Sequence, residues 1–324
     1  MPSRSAVPER MEQRRTQPAG WPRFVSAGEA LTDFIRVGPD QWLSRPGGAD
    51  WNVARVVATL GLPSAFAGSV SLDRFGDELV ALSETAGLDM RFTQRYAKPP
   101  LLAMVHETTP PQYFFIGQDS ADLAFDPQQL PSGWVDGVQW VHFGCISLTR
   151  DPLRTKLLRL LDEVKAARRR VSYDPNFRNI MTEAYDETLR YAAARADVIK
   201  VSDEDLMGLF RTEHPPEGLT RLRSINPTAP ILLTRGSQGA ELYLSGSVLK
   251  QRPPPIEVVD TVGAGDASIG GLLYSLMTQP DAGWAAHLRF SVATGAAACL
   301  RAGATPPELA LVEQVLAAME STGW

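Results

Sequence analysis

Apolar and polar positions along this chain change period many times. Residues 24–31 form an apolar run that reads as a first strand, ending in polar Thr32 and Asp33. Gly47-Gly48 then opens a helix to Leu60, with Val53, Val56, Val57 and Leu60 on one face. A strand over 66–70 precedes a helix over 75–86, stopped by Gly87. From Val138 the alternation is regular. Strands are predicted at 138–143, 171–173, 198–201 and 231–234, with helices at 152–170, 184–194 and 203–210. A hairpin of 240–244 and 247–251 turns at Ser245-Gly246, and helices follow at 267–277, 287–300 and 308–319. Short apolar strands alternating with helices imply an α/β fold, a doubly wound and mostly parallel sheet with helices on both faces. Two extended stretches, 34–46 and 91–117, interrupt that rhythm.

Ligands on such sheets sit beyond the C-terminal ends of the strands. Asp33, Asp174, Lys200, Thr234 and Asp260 all lie at or near such ends. Composition narrows the field. The 324 residues are 44% hydrophobic and 21% charged, enough for one large domain, and the net charge of −5 argues against non-specific nucleic-acid binding. No apolar run reaches the ~18 residues of a membrane span, so no membrane partner is expected and the cytoplasm is the default. Residues 1–20 are rich in Arg, Pro, Gln and Ser and lack an apolar centre, which predicts a disordered extension before a domain at 21–324. Cys145 and Cys299 sit among apolar neighbours and read as buried free thiols, with no spacing that suggests zinc.

The chemistry concentrates in Asp260-Thr-Val-Gly-Ala-Gly-Asp266. A strand-like run stops, glycines turn the chain, and a helix begins. Backbone N–H groups and the positive end of the helix dipole then converge on one spot. The turn alone suits many anions, but it has neither the Gly-Lys-Ser/Thr of a phosphate loop nor the early GxGxxG of a dinucleotide-binding oxidoreductase. Asp266 stands inside that anion site. A carboxylate there suits a base that takes a proton from a hydroxyl nucleophile, beside N–H groups that stabilise a transferring phosphoryl.

This run, followed by Gly270-Gly271, resembles the C-terminal motif of the ribokinase-like (PfkB) carbohydrate kinases. Gly47-Gly48-Ala-Asp-Trp-Asn52-Val-Ala54, leading to Gly61 and Asp73-Arg-Phe-Gly76, resembles their N-terminal motif. The resemblance implies a catalytic base at Asp266, an anion hole at Gly263, Ala264 and Gly265, and sugar-hydroxyl recognition by Asp33, Gly47, Gly48 and Asn52. Read alone, Asn52 also serves to satisfy a helix terminus and Asp33 to make a turn. In the same way, Thr234, Gly236 and Gly239 are expected at ATP phosphates, although the loop by itself is a strand-to-turn joint. Lys200-Val-Ser202-Asp-Glu-Asp205 stands where the family often has Asn-x-x-Glu, implying nucleotide contacts at Lys200 and Ser202 and a Mg2+ link through water at Asp205. Ser202 and Asp203 serve equally as helix caps. Asp174-Pro-Asn-Phe-Arg178 resembles the strand end of fructokinase relatives. Arg178 there either meets substrate phosphate or pairs with Asp174. Asp260, Val262, Ala298, Arg301 and Gly303 match a region that holds a monovalent cation such as K+. The small-residue helix near Ser291 packs on adenine or on another helix. The two extended stretches correspond to a β lid over the sugar, whose open edges allow a homodimer.

The implied activity is ATP-dependent phosphorylation of a sugar, with fructose favoured by the Gly28–Phe34, Lys200–Leu206 and Gly263–Leu276 stretches. Fructokinase and 2-keto-3-deoxygluconate kinase relatives commonly carry an aromatic-aromatic-Arg segment before Ser-Ala-Asp. Phe115-Ile116-Gly117-Gln118-Asp119 before Ser120-Ala-Asp122 lacks the arginine, a departure from both, and an acidic sugar such as 2-keto-3-deoxygluconate would miss its positive charge. Ribose and aminoimidazole riboside stay open. A non-catalytic nucleotide-binding regulator on the same fold is the reading from another class; the intact Asp266 and glycine loop oppose it.

Overall fold

The computed structural model describes residues 20–108 and 111–321. The predicted extension therefore lies outside the described residues, Gly20 excepted. Nine strands form the main sheet. β1 (Phe24–Ala27) lies inside it, flanked by β4 (Ser64–Ser71) and, on the other side, β8 (Trp140–Gly144). β9 (Arg170–Asp174), β10 (Val198–Ser202) and β11 (Ile231–Thr234) continue outward from β8, and β5 (Thr93–Tyr96) closes the β4 edge. These seven are parallel. The hairpin β12 (Ala240–Leu244) and β13 (Ser247–Gln251) adds two antiparallel strands beside β11. Every residue of β1 and β4 is buried, as a parallel sheet covered on both faces requires.

One face carries α1 (Ala49–Thr59), α8 (Ala264–Thr278), α9 (Trp284–Ala298) and α10 (Leu309–Ser321) around a core including Val53, Val57, Leu272 and Val312. The other carries α4 (Leu153–Ala166), α5 (Asp186–Arg195), α6 (Asp203–Phe210) and α7 (Pro215–Ile225), with the short α3 (Trp134–Gly137) at its margin. The helix α2 (Arg74–Ala86) packs beside α1. Asp73 caps it by accepting from the Phe75 and Gly76 N–H groups, and Gly87 ends it as predicted. The small-residue stretch of α9 packs against α8, where Ser291 Oγ donates to Ser268 O at 2.7 Å. No helix among the described residues is long and apolar enough to cross a membrane.

A second, four-stranded sheet stands over the strand ends in the order β3 (Gln41–Gly47), β2 (Leu31–Gly38), β6 (Leu102–Thr108), β7 (Pro111–Ile116). It is the expected lid, with different borders. The apolar run 24–31 is not one strand: β1 ends at Ala27 and Leu31 already belongs to the lid. Residues 24–31 are all buried, so Gly28-Glu29 at the crossing is easily read through as part of one strand. Asp33 consequently lies inside β2, paired with Arg45, rather than at a main-sheet strand end. Within 91–117, Thr93–Tyr96 pairs with β4 and belongs to the main sheet.

Helix α7 goes beyond the sequence prediction. Its two prolines look like breakers, but they occupy the first turn, where a missing N–H costs nothing. Helix α9 starts at Trp284, earlier than predicted, and α4 stops at Ala166 because Arg168 turns left-handed (φ 58°) and Arg170 joins β9. Cys145 is buried as expected; Cys299 is only half-buried.

Candidate active site

The two sequence motifs meet. Gly48 caps α1 with φ 112°, and a Cβ there would lie 2.7 Å from the Glu29 carbonyl oxygen, so only glycine lets the helix start this close to β1. One turn later, Asn52 turns its amide away from the helix end. Its Nδ2 donates to Asp266 Oδ2 at 2.9 Å, across 214 residues of sequence. Asp266 sits in the first turn of α8, which begins after Gly263 in the left-handed region (φ 79°). Burial pushes its carboxyl up to about 7, eased by the Asn52 hydrogen bond and the Lys200 charge. The N–H groups of Gly265 and Asp266 belong to the turn that has no preceding helical carbonyl to bond. Of the expected anion-hole positions Gly263, Ala264 and Gly265, the Ala264 N–H is already engaged by Thr261 O at 3.2 Å.

Lys200, on β10, faces the same helix terminus. A Cβ on Gly265 would stand 3.2 Å from its Nζ. Lys200 is buried and lies 2.9 Å from Asp174 Oδ2 and 3.8 Å from Asp205 Oδ2. Burial works against its charge, yet these two carboxylates hold its pKa above the ordinary lysine value. Asp174 thus pairs with Lys200 and not with Arg178. Arg178 Nη1 donates to Asn176 Oδ1 at 2.6 Å and to the carbonyls of Asn176 and Phe177.

A cavity of about 540 Å³ opens between these groups and the lid. Asp33, Gly48, Asn52, Arg178, Lys200, Asp260, Val262, Gly263, Gly265 and Asp266 all line it, with Leu31, Ile35, Ala103, Val105 and Phe115 as the lid's apolar wall. Gly47 backs it: Asp33 Oδ2 occupies the space its side chain would fill. Burial raises the Asp33 carboxyl to about 6, opposed by the charge of Arg178.

Other expected residues stand outside the cavity. Ser202 and Asp205 form a capping box on α6: Asp205 N–H donates to Ser202 Oγ at 3.0 Å, and Ser202 N–H donates to Asp205 Oδ2 at 2.7 Å. Asp205 Oδ1 accepts the Phe177 N–H, so both its oxygens are engaged. The cap partner of Ser202 is therefore Asp205, while Asp203 pairs with Arg235. No group of three or more metal-ligating side chains exists among the described residues. Thr234, Gly236 and Gly239 lie one strand over, where Thr234 pairs with Ser202. On the far side, Asp260 Oδ2 accepts the Gly303 N–H at 2.8 Å, bringing Asp260 and Val262 to the loop after α9 that carries Arg301. The carbonyls of Ala298 and Gly303 accept from the Arg301 and Thr305 N–H groups.

Sequence reasoning passed over Glu29, which lines the cavity, and Asp50 and Ser147, which are buried against it. Two signals were present: an acid inside an apolar run, and a second acid two residues after Gly48.

A model of the pfkB family carbohydrate kinases matches residues 23–310. A fructokinase of Klebsiella pneumoniae is 33% identical over 287 residues, 86% of this chain and 93% of that protein. The chain belongs to the pfkB family of carbohydrate kinases. It is a sugar kinase with the family's ribokinase-like fold. A crystal structure of an ATP-bound fructokinase from Xylella fastidiosa superposes with a TM-score of 0.82 at 27% identity, covering 93% of this chain and 99% of the other. An aminoimidazole riboside kinase from Salmonella enterica, complexed with aminoimidazole riboside and an ATP analogue, gives 0.79 at 27% identity, covering 90% and 99%.

Proposed function

We propose that this pfkB kinase transfers the γ-phosphate of ATP to a hydroxyl of fructose. The single observation that carries the reading is the Asn52–Asp266 hydrogen bond, which joins the sugar-side and phosphoryl-side motifs on one cavity. In this reading Asp266 takes the proton of the attacking hydroxyl. The N–H groups of Gly265 and Asp266 receive the transferring phosphoryl, and Lys200 offsets its negative charge. Asp33 and Asn52 orient the sugar, with Gly47 and Gly48 letting the backbone approach, and the lid's apolar wall excludes water. The nucleotide tail runs toward Ser202, Thr234, Gly236 and Gly239. Mg2+ would enter on the phosphates of ATP; a water-mediated link from Asp205 requires one of its backbone bonds to give way. K+ belongs beside Asp260, with carbonyls of Val262, Ala298, Arg301 and Gly303 as its candidate ligands.

The charged lining supports a neutral substrate. Glu29, Asp33, Asp260 and Asp266 face Arg178 and Lys200, and Lys200 already answers Asp174. An acidic sugar such as 2-keto-3-deoxygluconate fits that balance poorly. ATP places the reaction in the cytoplasm. Exposed Trp42, Phe114 and Ile116 on the outer face of the lid support pairing of two copies there. The test is ADP release from ATP and Mg2+, with and without K+, over fructose, ribose, aminoimidazole riboside and 2-keto-3-deoxygluconate. Fructose is expected to give the highest kcat/KM; a higher value for any other sugar reassigns the substrate.

A further inference from the structure

The turn after β9 brings Asn176 and Arg178 to the cavity lining, but it is fastened by a residue that does not line the cavity, Asp205. Asn176 has φ 43°, a left-handed conformation that a residue with a Cβ keeps only where its surroundings impose it. Its N–H donates to Asp174 Oδ1 at 3.0 Å. Asp174 is itself held, because its carbonyl accepts the Cys145 N–H at 3.1 Å and Lys200 Nζ stands 2.9 Å from its Oδ2. The next tie crosses to another element. The Phe177 N–H donates to Asp205 Oδ1 at 2.6 Å, in the first turn of α6. The Phe177 ring packs on the same helix: a Cβ on Gly208 would lie 2.3 Å from its Cδ1.

Asp205 is 4% exposed, and its other oxygen accepts the Ser202 N–H at 2.7 Å. A buried carboxylate with a backbone donor on each oxygen is held in one orientation. The family resemblance assigns this carboxylate to Mg2+ through water, and its bonding does not fit that role. What it holds is the residue next to Arg178. The Arg178 guanidinium folds over the turn, with Nη1 donating to Asn176 Oδ1 at 2.6 Å and to the Asn176 and Phe177 carbonyls, so it moves as the turn moves. Burial raises the carboxyls of both Asp33 and Asp266, and the Arg178 charge opposes both shifts. Arg178 therefore stands where it acts on the sugar-side acid and on the base together.

We propose that Asp205 is a positioning residue for the sugar: through the Phe177 N–H it sets the turn that presents Arg178 to the cavity, in place of a water-mediated link to Mg2+. The proposal rests on the assignment of this cavity to the sugar and not on fructose in particular.

The experiment takes wild type, Asp205→Ala, Arg178→Ala and the double variant. It measures KM for the preferred sugar and the Mg2+ concentration that gives half the maximal rate. A hydrogen bond to a charged group is worth about 10- to 100-fold, so Asp205→Ala should raise the sugar KM by that factor and leave the Mg2+ requirement within about twofold. In the Arg178→Ala background the same substitution should change the sugar KM by less than about threefold, because the group it positions is gone. Gly208→Ala keeps the carboxylate and drives the Phe177 ring off α6; it should raise the sugar KM without moving the Mg2+ requirement. Thermal melting checks each fold, and if Asp205→Ala does not fold, Gly208→Ala with and without Arg178→Ala decides the matter. A raised Mg2+ requirement with an unchanged sugar KM gives Asp205 to the metal and overturns the proposal. An equal rise in sugar KM with and without Arg178 overturns it too, because the effect is then structural. A wild type inactive on every sugar overturns the substrate reading instead, and the proposal with it.

Discussion

Replacing Asp266 with asparagine should separate the chemistry of this site from its stability, because the same burial governs both. The new side chain keeps the shape and leaves an oxygen to accept from Asn52 Nδ2, so the link between the two motifs survives. It cannot take a proton. General-base catalysis contributes about 10²- to 10⁴-fold, so kcat should fall by that factor, with KM for the sugar within a few-fold. Wild-type kcat/KM should rise with pH through about 7, where the Asp266 carboxyl ionises, and the variant should be flat over that range. Stability should move the other way. The folded pKa lies above the unfolded one, so ionisation favours the unfolded chain. Nothing is lost below about 4, stability falls as pH rises from there, and the full penalty is present above about 7. A rise from 3.8 to about 7 corresponds to an upper limit of ~4 kcal/mol. Asp266→Asn should therefore melt several degrees above wild type at pH 8 and close to it at pH 4. Coupled ADP assays and thermal scans at both pH values read the two effects. A variant with kcat within threefold of wild type refutes the base; a melting temperature lowered equally at both pH values refutes the electrostatic account.

Three further substitutions probe the surroundings. Lys200→Met leaves Asp174 and Asp205 without their buried counter-charge; it should cost about 3–5 kcal/mol in denaturant unfolding and abolish most phosphoryl transfer. Gly48→Ala places a Cβ 2.7 Å from Glu29 O at φ 112°, so unfolding free energy should drop by about 1–3 kcal/mol and sugar affinity with it; an unaffected protein contradicts the tight approach of α1 to β1. Asp33, whose carboxyl sits at about 6, should bind sugar more tightly as pH rises through that value, because the ionised form is the stronger acceptor; calorimetry on Asp33→Asn should show the dependence gone.

How much of this was legible in sequence depends on how far apart the partners lie. The turn into α8 was readable because its parts are contiguous: glycines and acid fall within Asp260–Asp266, and the change to a helix fixes their geometry locally. The lid was harder. The run 24–31 stays buried while the chain leaves one sheet for another, and Gly28-Glu29, where β1 stops, is short enough to be read through as one strand. Ser202 was readable as a helix cap, but its partner was not: the cap uses Asp205 rather than Asp203, and it engages the Asp205 oxygens that a metal reading would need. Helix α7 was not read at all, because a proline pair at a helix start looks like a loop without the turn that follows.

The buried acids show the limit most clearly. Glu29 sits in an apolar run and Asp50 between two binding residues, and neither position says that Ser147, on a third segment, will link them. What joins them is the Ser147 hydroxyl, within hydrogen-bond distance of an oxygen of each, and that contact exists only once three distant segments are folded together. The Asn52–Asp266 bond has the same character. Each residue belongs to a recognisable motif, but the statement that the sugar site and the phosphoryl site are one cavity is carried by a contact between them. A site assembled this way holds its acid at a raised pKa because several segments jointly exclude water. Weakening any one of them should therefore lower the pKa of Asp266 and shift the pH dependence of kcat/KM toward acid, whereas loss of Asn52 alone removes a stabilising donor and should shift it toward alkali. The direction of that shift, measured in Asn52→Ala, distinguishes a tuned base from a carboxylate that is merely buried: an acid shift or none at all contradicts the tuning.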